Sequence, residues 1–277
     1  MGRVQGKVAF ITGAARGQGR SHALRLAEEG ADIIAVDLCG PVSSVKYPLA
    51  SEKDLAETAR MVEALDRRIV VQRVDVRDRA AVQAALDAGI AELGRLDIVV
   101  ANAGIASVSL EGTAAISDTM WKEMIDINLT GVWHTTSAAT PHLIASGGGS
   151  MIMISSVAGL KAYANIGHYV AAKHGVVGLM RTLAVELGPH GIRVNSIHPT
   201  QVDTTMIMNE STMRLFVPDV PSPTREDFAP ASQAMHALPM PWADPRDISN
   251  AVLFLASDES RCITGVPLPV DAGVLVK

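Results

Sequence analysis

The chain has 277 residues, 48% of them hydrophobic and only 4% aromatic, and a formal net charge of −5. No basic block marks it as a nucleic-acid binder, and no apolar run reaches the roughly 18 residues that span a bilayer. A core rich in Ala, Val, Leu and Ile suits helices packed on a sheet, and the length reads as one domain, 1–277. The first seven residues, Met-Gly-Arg-Val-Gln-Gly-Lys, carry no secretory pattern. Cys39 and Cys262 lie far apart without metal-ligand spacing, which reads as two free thiols in a reducing compartment. A cytoplasmic protein without a metal site is the expectation.

The first strand, 7–12, runs into Thr12-Gly13-Ala14-Ala15-Arg16-Gly17-Gln18-Gly19, and a helical pattern follows over 18–30. Backbone N–H groups at such a helix start converge on one point, where a pyrophosphate fits. The glycines allow a tight turn, close ligand approach and close helix packing. The second strand, 31–37, ends at Asp37, about 20 residues past the glycines, where a carboxylate meets a ribose hydroxyl pair and repels a 2′-phosphate. NAD is therefore favoured over NADP, although Arg16 near the adenosine could tolerate a phosphate.

Residues 38–51 form a longer connection than the usual 2–6 residues; beside the adenosine pocket they read as a cover over the cofactor. A helix over 52–66 and a strand over 69–75 ending at Asp75 follow. Next come a helix over 78–93 and a strand over 96–102 closing on Asn102-Ala103-Gly104. A helix over 117–145 contains Asn128, which propensity disfavours in a helix interior, so a role in holding a water or a backbone carbonyl near Lys173 is expected. The strand 150–156 ends in Ser155-Ser156. Strand 192–198 leads to Pro199, and 266–270 is the last strand. Helices over 166–188 and 245–257 complete a strand–helix alternation. It implies an α/β fold: a Rossmann-type doubly wound parallel sheet of about seven strands with helices on both faces. Ligands then bind at the carboxyl ends of the strands. The stretch 205–242 holds five of the twelve methionines and six of the fourteen prolines. Proline rules out a long regular helix there, and methionine offers adaptable apolar surface, so a substrate lid or an oligomer contact is expected.

Tyr169 and Lys173 stand four apart in a helical pattern and share one face. An ordinary phenol titrates too high to act as a base at neutral pH. A lysine ammonium and a positively charged pyridine ring would lower it, so that Tyr169 could exchange a proton with a substrate oxygen. A hydroxyl at the end of strand 150–156 could hold that oxygen. Asp97, at the opposite end of its strand, reads as structural. The scattered histidines His134, His142, His168, His174 and His190 are assigned no metal, and Trp121 and Trp133 read as packing or interface residues.

Taken together, these motifs resemble the short-chain dehydrogenase/reductases over nearly the full chain. Thr12 to Gly19 matches the family's glycine motif, 102–104 its Asn-Ala-Gly motif, and Asn128, Ser156, Tyr169 and Lys173 its catalytic tetrad. The resemblance implies that Ser156 orients the substrate and Tyr169 is the acid/base. Lys173 would also bind the nicotinamide ribose, and Asn128 would support a proton-relay water. It implies that Gly13, Arg16, Gly17, Gln18, Gly19, Asp37 and Leu38 line the cofactor's adenosine and pyrophosphate half. Asp75 and the backbone of Val76 would meet the adenine, with Asn102, Ala103 and Gly104 alongside. Pro199, Val202 and Thr204 would surround the carboxamide.

Where the family has Pro-Gly, this chain has Pro199-Thr200, which would narrow the nicotinamide pocket. With the 38–51 insertion, this resembles the carveol-dehydrogenase-like subgroup associated with mycofactocin, a peptide-derived redox carrier. The resemblance implies an NAD-dependent alcohol dehydrogenase/ketoreductase acting on a hydrophobic secondary alcohol, cyclic or terpenoid. Its NAD would be held tightly and reoxidised by mycofactocin, and a homotetramer is implied. The alternatives are a carbonyl reductase with freely exchanging NADH and a non-catalytic NAD-sensing protein on the same fold.

Overall fold

The structure is a computed structural model and describes residues 2–277. Seven parallel strands form one sheet: β1 (Val8–Thr12), β2 (Asp32–Asp37), β3 (Ile69–Arg73), β4 (Ile98–Ala101), β5 (Gly149–Ile154), β6 (Ile192–Pro199) and β7 (Pro267–Val270), in the order β3-β2-β1-β4-β5-β6-β7. The order reverses direction between β1 and β4, which opens a crevice at the strand carboxyl ends. β3, β4 and β5 stop one or two residues short of their apolar runs, whereas β6 extends one residue further, to Pro199. Asp75 and Ser156 lie just past β3 and β5, on the turns that enter the crevice.

Alternate residues of the central strands serve two cores. Ala9, Ile11, Ile33, Val100 and Ile152 pack with α1 (Gly17–Glu28) and α9 (Pro245–Ala256) on one face. Val8, Phe10, Ile34, Val99 and Met151 pack with α3 (Arg79–Leu93), α5 (Gly131–Ala145) and α6 (Gly167–Leu187) on the other. Burial on both faces explains why these strands read as continuous apolar runs. Ser51 and Asp54 form a reciprocal capping box on α2 (Glu52–Glu63), as do Asp244 and Asp247 on α9. At the far end of the sheet, buried Asp97 accepts from the Val8 amide at 2.9 Å and pairs with Arg95 at 2.7 Å, the structural role expected of it.

The 117–145 pattern is not one regular helix. α4 (Asp118–Ile125) passes through a π-helical turn, Asp126–Thr130, into α5. The π turn admits an extra residue per turn and carries Asn128, a placement typical of functional sites. The 205–242 stretch contains two short helices, α7 (Glu210–Phe216) and α8 (Arg225–Ala234), as its prolines require. Phe216 meets Phe228 edge to face and Phe228 stacks on Trp242, with ring centroids 4.9 and 5.8 Å apart, which holds it together. Its far end is tied to the chain terminus, where the Lys277 ammonium donates to the Ala234 and His236 carbonyls at 2.7 Å each.

Candidate active site

The turn after β1 leaves no room for a Cβ at Gly13 or Gly19. Gly13 and Gly17 have φ of +67° and +56°, a region that favours glycine. A Cβ on Gly19 would sit 2.0 Å from the Gly13 carbonyl oxygen. The turn is bolted to the end of β4. The Thr12 hydroxyl accepts from the Asn102 and Ala103 amides, both at 3.1 Å, and the Asn102 side chain donates to the Thr12 carbonyl at 2.9 Å. The Gln18 side-chain oxygen is buried in this region without a protein partner. Such a cradle of free backbone amides at the start of α1 fits a pyrophosphate.

Asp37 closes the far side of the cradle. Its carboxylate accepts from the Ala15 amide at 3.0 Å and the Cys39 amide at 3.1 Å, so the acid is anchored at the glycine turn. Arg16, which could have welcomed a phosphate, instead donates to the Pro48 carbonyl of the insertion. Asp75 is held by Arg77 through bonds of 2.6 to 3.0 Å. Burial opposes its ionisation, but the Arg77 bonds prevail and keep the carboxyl below its usual range.

These groups line one cleft. Gly13, Arg16, Gly17, Gln18 and Gly19 form one wall, Asp37, Leu38, Asp75 and Val76 the adenosine end, and Asn102, Ala103 and Gly104 the floor. Tyr169, Lys173 and Thr204 stand at the inner end. Pro199 and Val202 do not reach the cleft surface; Val202 is buried and paired with Ala243. Asn128 is buried behind the floor. Its side chain accepts from the Ile105 amide at 2.9 Å and donates to the Ile105 carbonyl at 2.8 Å, clamping the turn that carries Gly104. The expected hold on a backbone carbonyl is there, but on Ile105.

The reactive groups sit on α6 and the end of β5. The Lys173 ammonium donates to the Ile154 carbonyl at 2.9 Å and lies 5.5 Å from the centre of the Tyr169 ring. The Ser155 hydroxyl donates to the Lys173 carbonyl at 3.0 Å, fastening β5 to α6. The Ser156 hydroxyl accepts from the Ala158 amide at 3.1 Å and does not line the cleft itself. The expected depression of the Tyr169 pKa by its lysine is not found in the protein groups alone. Burial pushes the phenol up to about 12, the Ser156 contact works against this, and Tyr47 adds to it. Burial also pulls Lys173 down to about 8. Two titrating groups in one dry pocket are both driven toward their neutral forms.

Sequence reasoning missed several wall residues. Val42, Tyr47, Leu49 and Ala50 bring the insertion into the cleft, and Thr205 and Met206 bring in the start of the lid. Tyr47 is buried, and its hydroxyl accepts from the Ala106 amide at 3.1 Å. The insertion is fastened elsewhere too: the Ser43 hydroxyl and Ser44 amide donate to Glu123 at 2.7 and 2.8 Å. A further expectation fails. Thr200 does not narrow the pocket, because its hydroxyl turns away to His236, 2.7 Å from the ring nitrogen, and it does not line the cleft. Among the described residues no cluster of His, Cys, Asp or Glu could hold a metal ion, and no helix is long and apolar enough to cross a membrane.

A doubly wound parallel sheet with a glycine cradle at its switch point and Tyr169 and Lys173 on the same cleft defines a class of oxidoreductase. The chain belongs to the short-chain dehydrogenase/reductase family: residues 13–275 match the family model described as enoyl-(acyl carrier protein) reductase. The (−)-trans-carveol dehydrogenase of Rhodococcus erythropolis is 58% identical over 278 residues, covering all of both chains. The crystal structure of carveol dehydrogenase from Mycobacterium avium in complex with NAD is 64% identical, covers all of both chains and superposes with a TM-score of 0.98. A trans-4-hydroxycyclohexanecarboxylate dehydrogenase from Sinomonas cyclohexanicum is 38% identical, over 98% of this chain and 93% of its own.

Proposed function

We propose that this enzyme transfers hydride between a hydrophobic cyclic secondary alcohol of the carveol type and NAD. The observation that carries the reading is the meeting of Tyr169 and Lys173 on the glycine-lined cleft, with Ser156 beside the Tyr169 phenol. NAD, when bound, supplies the hydride acceptor and a positively charged ring. The rest falls to the chain. The glycine cradle holds the pyrophosphate, and Asp37 favours ribose hydroxyls over a 2′-phosphate. Ser156 holds the alcohol oxygen, and Tyr169 as phenolate takes the hydroxyl proton as the carbinol carbon gives up its hydride. Lys173 stabilises that phenolate when charged. The products are the ketone, reduced NAD and the Tyr169 phenol. The relatives that act on carveol and on a hydroxycyclohexane acid support a cyclic substrate.

NAD is retained between turnovers, and an external carrier, mycofactocin, reoxidises it. The support is the insertion, which lines the adenosine half and is fastened through Tyr47, Pro48, Ser43 and Ser44. Thr200 contributes nothing to this. The test is to desalt the purified protein, boil it and quantify released dinucleotide, then assay the intact protein on carveol with an artificial electron acceptor. One equivalent of NAD per chain, with acceptor-dependent turnover, is expected. Protein that releases none and turns over with added NAD points to the freely exchanging reductase instead. Protein that binds NAD and oxidises no alcohol points to a sensor.

A further inference from the structure

His198 on β6 is fully buried and does not line the cleft. One ring nitrogen, Nδ1, lies 2.7 Å from the Ser156 carbonyl oxygen, and the other, Nε2, lies 2.8 Å from the Ser196 hydroxyl. A carbonyl can only accept, so Nδ1 carries the hydrogen and Nε2 accepts from Ser196. Both ring nitrogens are thereby satisfied in the neutral form. Burial, the leading cause, pulls the imidazole down to about 4, which keeps it neutral at working pH.

The backbone explains why such a group is needed. β5 and β6 pair in register through Ile154 and Ile197, and the last ladder bond runs from the Ser155 amide to the Ile197 carbonyl at 2.9 Å. Beyond it the chain turns at Val157–Gly159, and Ser156 has left the sheet. The imidazole takes over where the ladder stops, while β7 pins His198 from the other side opposite Pro269. We propose that His198 is a positioning residue for Ser156: its Nδ1–H fixes the Ser156 carbonyl, and so the direction in which the serine hydroxyl meets the Tyr169 phenol and the substrate oxygen. The inference rests on the proposed roles of Ser156 and Tyr169. His198 itself touches neither substrate nor cofactor.

The test uses NAD-loaded enzyme and three substitutions. His198→Asn places an N–H where Nδ1–H stood, His198→Gln places it one atom farther out, and His198→Leu removes it. The expected result is a fall in kcat on carveol of about tenfold for the Leu and Gln variants, the scale of one lost hydrogen bond. The Asn variant stays within about threefold of the parent. NAD content is unchanged in all three. Asn and Gln variants of equal kcat, or a Leu variant with parental kcat, overturn the proposal. Should the Leu variant fail to fold, the Asn and Gln pair decides alone. Tyr169→Phe run in parallel separates the two levels: an active Tyr169→Phe sinks the site reading, whereas an inactive one beside unaffected His198 variants sinks only the role of His198.

Discussion

Tyr169 and Lys173 share a pocket that neutralises both. The phenol sits near 12 and the ammonium near 8 when only protein groups act on them. Alcohol oxidation needs the phenolate and ketone reduction needs the phenol. The oxidative rate should therefore climb with pH through the neutral and alkaline range, while the reductive rate stays nearly flat until the pH approaches 12. Rate profiles in both directions check this, and an oxidative rate flat from about pH 6 to 9 contradicts it. Lys173 also bears on stability. Its folded pKa lies below its ordinary value, so the buried charge opposes folding at neutral pH; that opposition fades as pH rises through 8 and is gone above the ordinary value. Lys173→Met should raise the Tm at neutral pH by roughly a few degrees while turnover collapses; calorimetry beside an activity assay checks both. The pairing of Tyr169 with Lys173 was legible because helix periodicity puts residues four apart on one face, whereas the tetrad roles of Asn128 and Ser156 came from the family resemblance. The pKa of Tyr169 was not legible, because burial depends on Val42, Tyr47 and Ile105, which come from elsewhere in the chain. His198 was hidden for the same reason: in the sequence it is one polar residue in an apolar strand.

At the scale of elements, the glycine turn and Asp37 act as one unit, since the carboxylate accepts the Ala15 amide of the turn itself. Gly19→Ala drives a methyl into the Gly13 carbonyl, and the expected outcome is folded protein that copurifies without dinucleotide. Asp37→Asn keeps an acceptor for the turn but removes the charge that repels a 2′-phosphate. A gain of roughly tenfold in NADP affinity relative to NAD is expected in competition binding. Both parts were readable because their geometry is local: a turn, a strand end and a fixed spacing. The insertion was visible only as an interruption. That Tyr47 reaches the Ala106 amide, and that Thr200 turns toward His236, depend on contacts between segments distant in sequence, to which no periodicity points. The shortened strands follow similarly, since hydrophobicity marks burial and continues past the last ladder bond.

For the whole molecule, the crevice where the sheet order reverses places every catalytic group at one end, and it follows directly from the alternation of strands and helices. The helices α5 and α6 on one face leave Trp133, Ile144 and Val185 exposed at 42%, 39% and 79%. We propose that this face pairs between subunits of a homotetramer. Val185→Glu should then reduce the assembly measured by light scattering without loss of bound NAD, and an unchanged mass contradicts the assignment.

The central claim is that Tyr169 takes the alcohol's proton beside a bound nicotinamide. Its most direct test is a single-turnover experiment with Tyr169→Phe, mixing dinucleotide-loaded protein with carveol and following the absorbance of reduced NAD. The expected result is a full complement of NAD and a reduction rate at least about a thousandfold below the parent. A variant that reduces its NAD at the parental rate contradicts the claim.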